Sequence, residues 1–161
     1  MLPAFPWLPL PAGERTIPRM LDLQAARFGD RPLFSCLDEH WTFAQAPQKA
    51  ACAAAALQAQ GIKAGDRVAL LSPNRPEMMA AILGCGWLGA IAVPINIAVK
   101  TRQLRFYLEN SGARLLIADG ALLAQLEPHA LSGLPLERIG ALDPITEPFD
   151  LGVPVFEQSF A

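Results

Sequence analysis

Gly84-Cys85-Gly86-Trp87-Leu88-Gly89 has the G-x-G-x-x-G spacing with which helical amides can face a pyrophosphate. Ala80 to Leu83 ahead of it could serve as the strand such a loop requires. The chemistry it would support is dinucleotide binding, but the second half of that fingerprint is missing. Its helix would have to run from Gly86 through Pro94, whose ring and absent N–H break a helix interior. The ribose-binding acid expected about twenty residues on falls near Leu104, with no carboxylate closer than Glu109. Upstream, Asn74 can cap the first helical amides and Glu77 can reach back, a capping-box variant with Pro76 in the first turn that commits Met78 to Leu83 to a helix starting near Arg75. Gly84, Gly86 and Gly89 are therefore expected to serve close helix–strand packing.

Other reactive groups are scattered. His40 falls in an expected hairpin turn and His129 in a proline-flanked loop, neither with a partner at metal-ligand spacing. Cys36, Cys52 and Cys85 lie 16 and 33 positions apart, which fits neither a disulfide framework nor a zinc pair; they read as buried thiols in a reducing compartment. No Gly-x-Ser-x-Gly elbow, Walker loop or His-Glu-x-x-His occurs, so no catalytic and no metal residue is assigned. The single pocket candidate is Asn96, which follows an apolar run; ligands of open α/β sheets bind outside the carboxyl ends of strands. An Asn after Pro-Ile also serves simply to bond a turn.

The elements that must position these residues follow from composition and pattern. The chain has 161 residues, 52% of them hydrophobic and 17% charged, with mean hydropathy +0.28, enough apolar surface for one folded unit. A net charge of −2 without a basic cluster argues against nucleic acid as a partner. Pro3, Pro6, Pro9 and Pro11 and the lack of a basic leader exclude a signal-peptide helix at the N-terminus, which points to the cytoplasm. Met78 to Val99 carries no charge over 22 residues, yet its glycines, Pro94 and the alternation Ile91, Val93, Ile95, Ile97 argue against a membrane span.

Thr16 can cap a helix that ends at Gly29, and Leu33 to Leu37 with Trp41 to Phe43 reads as a hairpin turning through Asp38-Glu39-His40. Alanine-rich Pro47 to Gln60 predicts a helix stopped by Gly61. Apolar runs at Arg67–Leu71, Ala90–Ile95 and Leu115–Ala118 alternate with helices from about Arg75, over Lys100–Asn110, and from an Asp119 cap to about Glu127. Strands apolar throughout and alternating with helices predict an α/β fold: an open, mostly parallel sheet flanked by helices. The expected division is an extended proline-rich N-terminus at 1–15, an α/β subdomain at 16–133, and an irregular tail at 134–161 with one or two edge strands.

In order along the chain, Thr42-Phe43, Ala53 to Gly61, Gly65-Asp66-Arg67-Val68-Ala69-Leu70, Pro73-Asn74-Arg75-Pro76-Glu77 and Leu88 to Asn96 resemble the start of the AMP-forming acyl-CoA synthetases and their adenylate-forming relatives. Leu104 to Ile117 is similar to that family's following helix and strand. The resemblance implies the first subdomain of the large N-terminal domain of an ATP-dependent ligase. That enzyme joins a carboxylate to coenzyme A through an acyl-adenylate, with pyrophosphate released and magnesium assisting. It also implies ATP, magnesium and coenzyme A as the cofactors of the full-length family, none of them expected to bind these residues alone. The family's phosphate loop ending in Pro-Lys, aromatic-Thr-Glu segment, ribose-binding Asp and catalytic lysine have no counterpart here, so the sequence is expected to stop before the phosphate loop and to be inactive by itself. Gln45 and Pro47 depart from the family, whose members carry Glu and an unbroken helix at that corner.

The expected partner is the remainder of a ligase, or a second copy through an exposed apolar face. Two alternatives stand beside this: a non-catalytic interaction module that persists at this length, and a small dinucleotide-binding protein using Gly84, Gly86 and Gly89.

Overall fold

Residues 10–160 are described by the computed structural model. Their centre is a five-stranded, wholly parallel sheet made of β3 (Arg67–Leu71), β4 (Ile91–Pro94), β5 (Leu115–Ala118), β6 (Arg138–Ala141) and β7 (Val155–Glu157), in the order β4-β3-β5-β6-β7. In β5 every residue is buried, the condition of a strand covered on both faces. Its side chains alternate accordingly. Leu115 and Ile117 pack with Val68, Leu70 and the helices α2 (Ala46–Ala59) and α3 (Pro76–Leu88); Leu116 and Ala118 pack with Leu104 and Leu108 of α4 (Thr101–Ser111). The chain leaves β3 for β4 by way of α3, then returns by way of α4 to β5 on the other side of β3. The connections therefore diverge between β3 and β5, which makes that crevice the topological switch point.

A smaller antiparallel hairpin, β1 (Pro32–Cys36) and β2 (Glu39–Thr42), and the helix α1 (Ile17–Phe28) pack beside the α2–α3 layer. Thr16 caps α1, its hydroxyl accepting from the Arg19 amide at 3.4 Å, and Gly29 ends it with φ at 53°. With Pro47 in its first turn, where the missing N–H has no helical partner to lose, α2 begins at Ala46.

Several boundaries differ from expectation. The hairpin turns through Leu37-Asp38 alone, with Leu37 at φ 54°, so Glu39 and His40 belong to β2 instead of the turn. Asn74 does not cap α3. Arg75 precedes a proline and is held extended (φ −148°, ψ 160°), which makes it the N-cap, without a side-chain cap bond. Asp119 does cap, accepting from the Ala121 amide at 3.0 Å, but its helix α5 spans only Gly120–Leu123 because the next turns tighten and Pro128 disfavours helical Glu127. Within 134–161, β6 occupies an interior place and β7 the edge. Of the N-terminal stretch, residues 1–9 lie outside the described residues, and Ala12–Glu14 form a 3-10 turn where extended chain was expected.

The uncharged run Met78 to Val99 divides between α3 and β4, and no described helix is long and apolar enough to cross a membrane. Gly84 and Gly86 lie inside α3 and face other helices, which corrects the expected helix–strand role. A Cβ on Gly84 would stand 2.7 Å from Cβ of Ala53 in α2, and one on Gly86 2.6 Å from Cγ1 of Ile17 in α1. Gly89 ends α3 with φ at 79°, a left-handed cap.

Candidate functional site

Four strands of the parallel sheet deliver polar residues to one side of the molecule, the side where their carboxyl ends emerge. Arg75 follows β3, Asp119 follows β5, Asp143 follows β6 and Gln158 follows β7. Arg75 and Asp119 meet across the switch point. The guanidinium donates to Asp119 Oδ2 at 3.1 Å, to Asp143 Oδ1 at 3.0 Å, and to Glu77 through Nε at 2.9 Å and Nη2 at 3.3 Å. Asp143 also accepts from the Gly120 amide at 2.8 Å.

One cation thus satisfies three carboxylates, and its own charge is spent within the chain. The bonds from Arg75 hold the Glu77 carboxyl below its ordinary value, while the Gly120 amide first and Arg75 second lower that of Asp143. Arg75 is shifted further upward by Glu77 and Asp143 and stays charged throughout.

Beside this network lies an open cleft of about 520 Å³ between β2, α3 and the ends of β6 and β7. Trp41, Pro76, Ala80 and Phe160 supply apolar wall; Glu39, Glu77, Asp143 and Glu157 face a single lysine, Lys49. Lys49 is itself engaged, 3.8 Å from Glu39 and 4.9 Å from the Trp41 ring centroid. A second cleft of about 770 Å³ beyond Asp143 is lined by Asp119, Asp143, Glu147 and Asp150, with no Lys or Arg among its lining residues. Neither cleft fits the phosphates of ATP, because each presents excess negative charge and no uncommitted cation.

Asn96 lies at the end of β4 in a hollow of about 270 Å³ with Val93, Pro94 and Tyr107, away from the Arg75 network. Its Oδ1 accepts from the Ala98 amide at 2.9 Å, an Asx turn, which accounts for the side chain. His40 Nδ1 is 3.1 Å from Ser35 Oγ and His129 Nδ1 is 3.3 Å from Asp150, both on exposed surface. Among the described residues no three His, Cys, Asp or Glu converge as metal ligands.

The cysteines are not uniformly buried: Cys52 is exposed on α2, Cys36 is half-buried, and only Cys85 is enclosed, its thiol pushed up to about 12 by burial. The sequence reading missed Arg75, Asp143 and Gln158. The available signal was that polar residues directly after apolar strand runs gather at one edge of a parallel sheet.

An open parallel sheet flanked by helices, with a crevice where the strand connections diverge, defines an α/β scaffold of the doubly wound type. The chain belongs to the AMP-binding enzyme family, which matches residues 21–148. It is 36% identical over 115 residues to the feruloyl-CoA synthase of Amycolatopsis sp., covering 70% of this chain and 23% of that protein. To the long-chain-fatty-acid–CoA ligase FadD13 of Mycobacterium tuberculosis it is 42% identical over 111 residues, covering 65% of this chain and 22% of that one.

Among solved structures, the inhibitor-bound N-terminal domain of FACL13 from M. tuberculosis matches with TM-score 0.62 at 36% identity, over 65% of this chain and 27% of that chain. The anthranilate CoA ligase AuaEII in complex with anthranoyl-AMP matches with TM-score 0.71 at 28% identity, over 82% of this chain and 25% of that chain. The chain therefore spans about a quarter of the length of the relatives it matches.

Proposed function

We propose that this chain is the N-terminal section of a cytoplasmic, ATP-dependent acyl-CoA ligase, one that converts a carboxylate, ATP and coenzyme A into acyl-CoA, AMP and pyrophosphate through an acyl-adenylate. Its role is that of scaffold: it supplies the sheet and one wall of the enzyme, and by itself it neither turns over nor holds ATP. The observation that supports this is the closed Arg75 network. At the crevice where such a fold would meet a phosphate, the guanidinium is committed to Glu77, Asp119 and Asp143, and the neighbouring clefts are acidic. ATP, magnesium and coenzyme A then belong to the section of the ligase that this sequence does not contain, which is also its partner.

The test is a fusion in which this chain replaces the matching section of the Amycolatopsis feruloyl-CoA synthase. Acid-dependent pyrophosphate release by the fusion, and none by the chain alone, is the expected result. Turnover by the isolated chain at a rate typical of enzymes, or a fusion that folds and is inert, overturns the proposal.

A second reading, self-association, is favoured by exposed apolar side chains near one of the two edges of the sheet: Ile91 on the edge strand β4, and Phe106 and Tyr107 on α4. A sedimentation coefficient that rises with concentration, and stops rising in an Ile91→Lys variant, supports it; a monomer at every concentration removes it.

A further inference from the structure

Gln158 is the one side chain among the described residues with a buried polar atom left without a partner. The residue is 7% exposed and forms part of the wall of the 520 Å³ cleft. Its Nε2 donates to the Ser159 carbonyl at 2.8 Å, which fixes the amide orientation and leaves Oε1 as a buried, unbonded acceptor. Such an atom costs stability unless a donor reaches it. Three further observations describe what that donor is attached to. Gln158 directly follows β7, the edge strand opposite β4, so an extended segment laid along the free edge of β7 would pass it. Of the four carboxylates in the cleft, Glu77 and Asp143 are bonded to Arg75 and Glu39 stands 3.8 Å from Lys49, which leaves Glu157 without a cation among the described residues and favours a basic group beside it. This chain covers 23% and 25% of two such relatives, so most of the family's polypeptide lies outside it.

We infer that the cleft at the carboxyl ends of β6 and β7 is a docking surface for polypeptide, and that its occupant is the ligase section absent from this sequence. That section places an N–H on Gln158 Oε1 and a basic side chain beside Glu157. The inference rests on the ligase reading above and adds where the two sections meet.

Gln158→Met, which keeps length and removes the acceptor, distinguishes the possibilities when placed both in the isolated chain and in the feruloyl-CoA synthase fusion. In the isolated chain the Nε2 bond to the Ser159 carbonyl and the stranded acceptor are lost together, so the melting temperature stays level or rises. In the fusion the partner N–H is stranded and the melting temperature falls, by about 2 °C or more. Gln158→Glu reverses the pattern: it lowers stability in the isolated chain, where a charge is buried alone, and is tolerated in the fusion, where a donor and a basic group face it.

Shifts of the same sign in both contexts overturn the docking site while leaving the ligase reading intact, provided the fusion releases pyrophosphate. A folded fusion without acid-dependent release overturns the ligase reading itself.

Discussion

Gly84→Ala probes the contact on which the helical layer depends. The new Cβ would sit 2.7 Å from Cβ of Ala53, 2.9 Å from the Ala53 carbonyl carbon and 3.0 Å from the Ala54 amide nitrogen. Two of these three atoms are backbone, so no rotamer change relieves the overlap; α2 and α3 must part by about 0.7 Å to restore an ordinary contact of 3.4 Å. That separation loosens Ala50, Ala53, Ala54, Ala80 and Ala81, all buried in this layer.

Overpacking of this kind costs about 1–3 kcal/mol, and replacing glycine inside a helix returns up to about 1 kcal/mol. The expected net loss is about 1–2 kcal/mol, or about 2–8 °C in melting temperature for a chain of this size. Gly86→Ala is the internal comparison. It meets the Ile17 side chain at 2.6 Å and no backbone, so α1 can yield and the loss should be smaller. Urea unfolding followed by far-UV circular dichroism reads both. A Gly84→Ala protein as stable as the parent, or less perturbed than Gly86→Ala, would refute the close-packing account.

Arg75→Met should cost about 2 kcal/mol at neutral pH, since it leaves three carboxylates facing one another at partial exposure. Glu77 and Asp143 titrate below their ordinary values of 4.5 and 3.8 in the folded chain, so the unfolded chain takes up protons first as pH falls. Their stabilisation is complete above about pH 5 and is lost as pH drops through those ordinary values toward the lower folded ones. The Arg75→Met variant should show a flatter decline between pH 5 and 3, measured by unfolding at each pH; an unchanged slope would remove the network from the acid response.

Thiol labelling at pH 8 should modify exposed Cys52 on mixing and Cys85 only as the chain unfolds, read by mass spectrometry of peptides. Asn96→Ala should cost about 0.5–1 kcal/mol through the lost Ala98 bond and alter nothing else; a larger effect on fusion activity than on stability would restore Asn96 as a ligand contact. Titration of the isolated chain with NADH or with magnesium ATP should give no saturable signal, and saturable NADH binding lost in a Gly86→Ala variant would revive the dinucleotide reading.

Local rules were legible in the residues themselves. Thr16 and Gly29 bound α1, Gly61 was read as the stop of the alanine-rich helix, and the apolar runs of β3 and β5 announce strands buried on both faces. Errors gathered where two local signals compete. At Asn74-Arg75-Pro76 the steric demand of proline on the residue before it overrode the capping potential of Asn74. After Asp119 the cap was real but too few residues could follow it helically before Pro128. The site was less legible still, because Arg75 is 44 positions from Asp119 and 68 from Asp143, and nothing local links them.

The sequence by itself determined the alternation of strand and helix, the parallel character of the sheet and the family, because these depend on patterns within a few residues of each position. Tertiary structure alone decided three things. It set Gly84 and Gly86 against helices instead of a strand, because the faces that meet are chosen by how whole elements pack. It gathered Arg75, Asp119 and Asp143, because only a parallel sheet brings successive strand ends to one side. It also left the Gln158 carbonyl oxygen buried without a donor, a property of everything around that atom and of no residue in isolation.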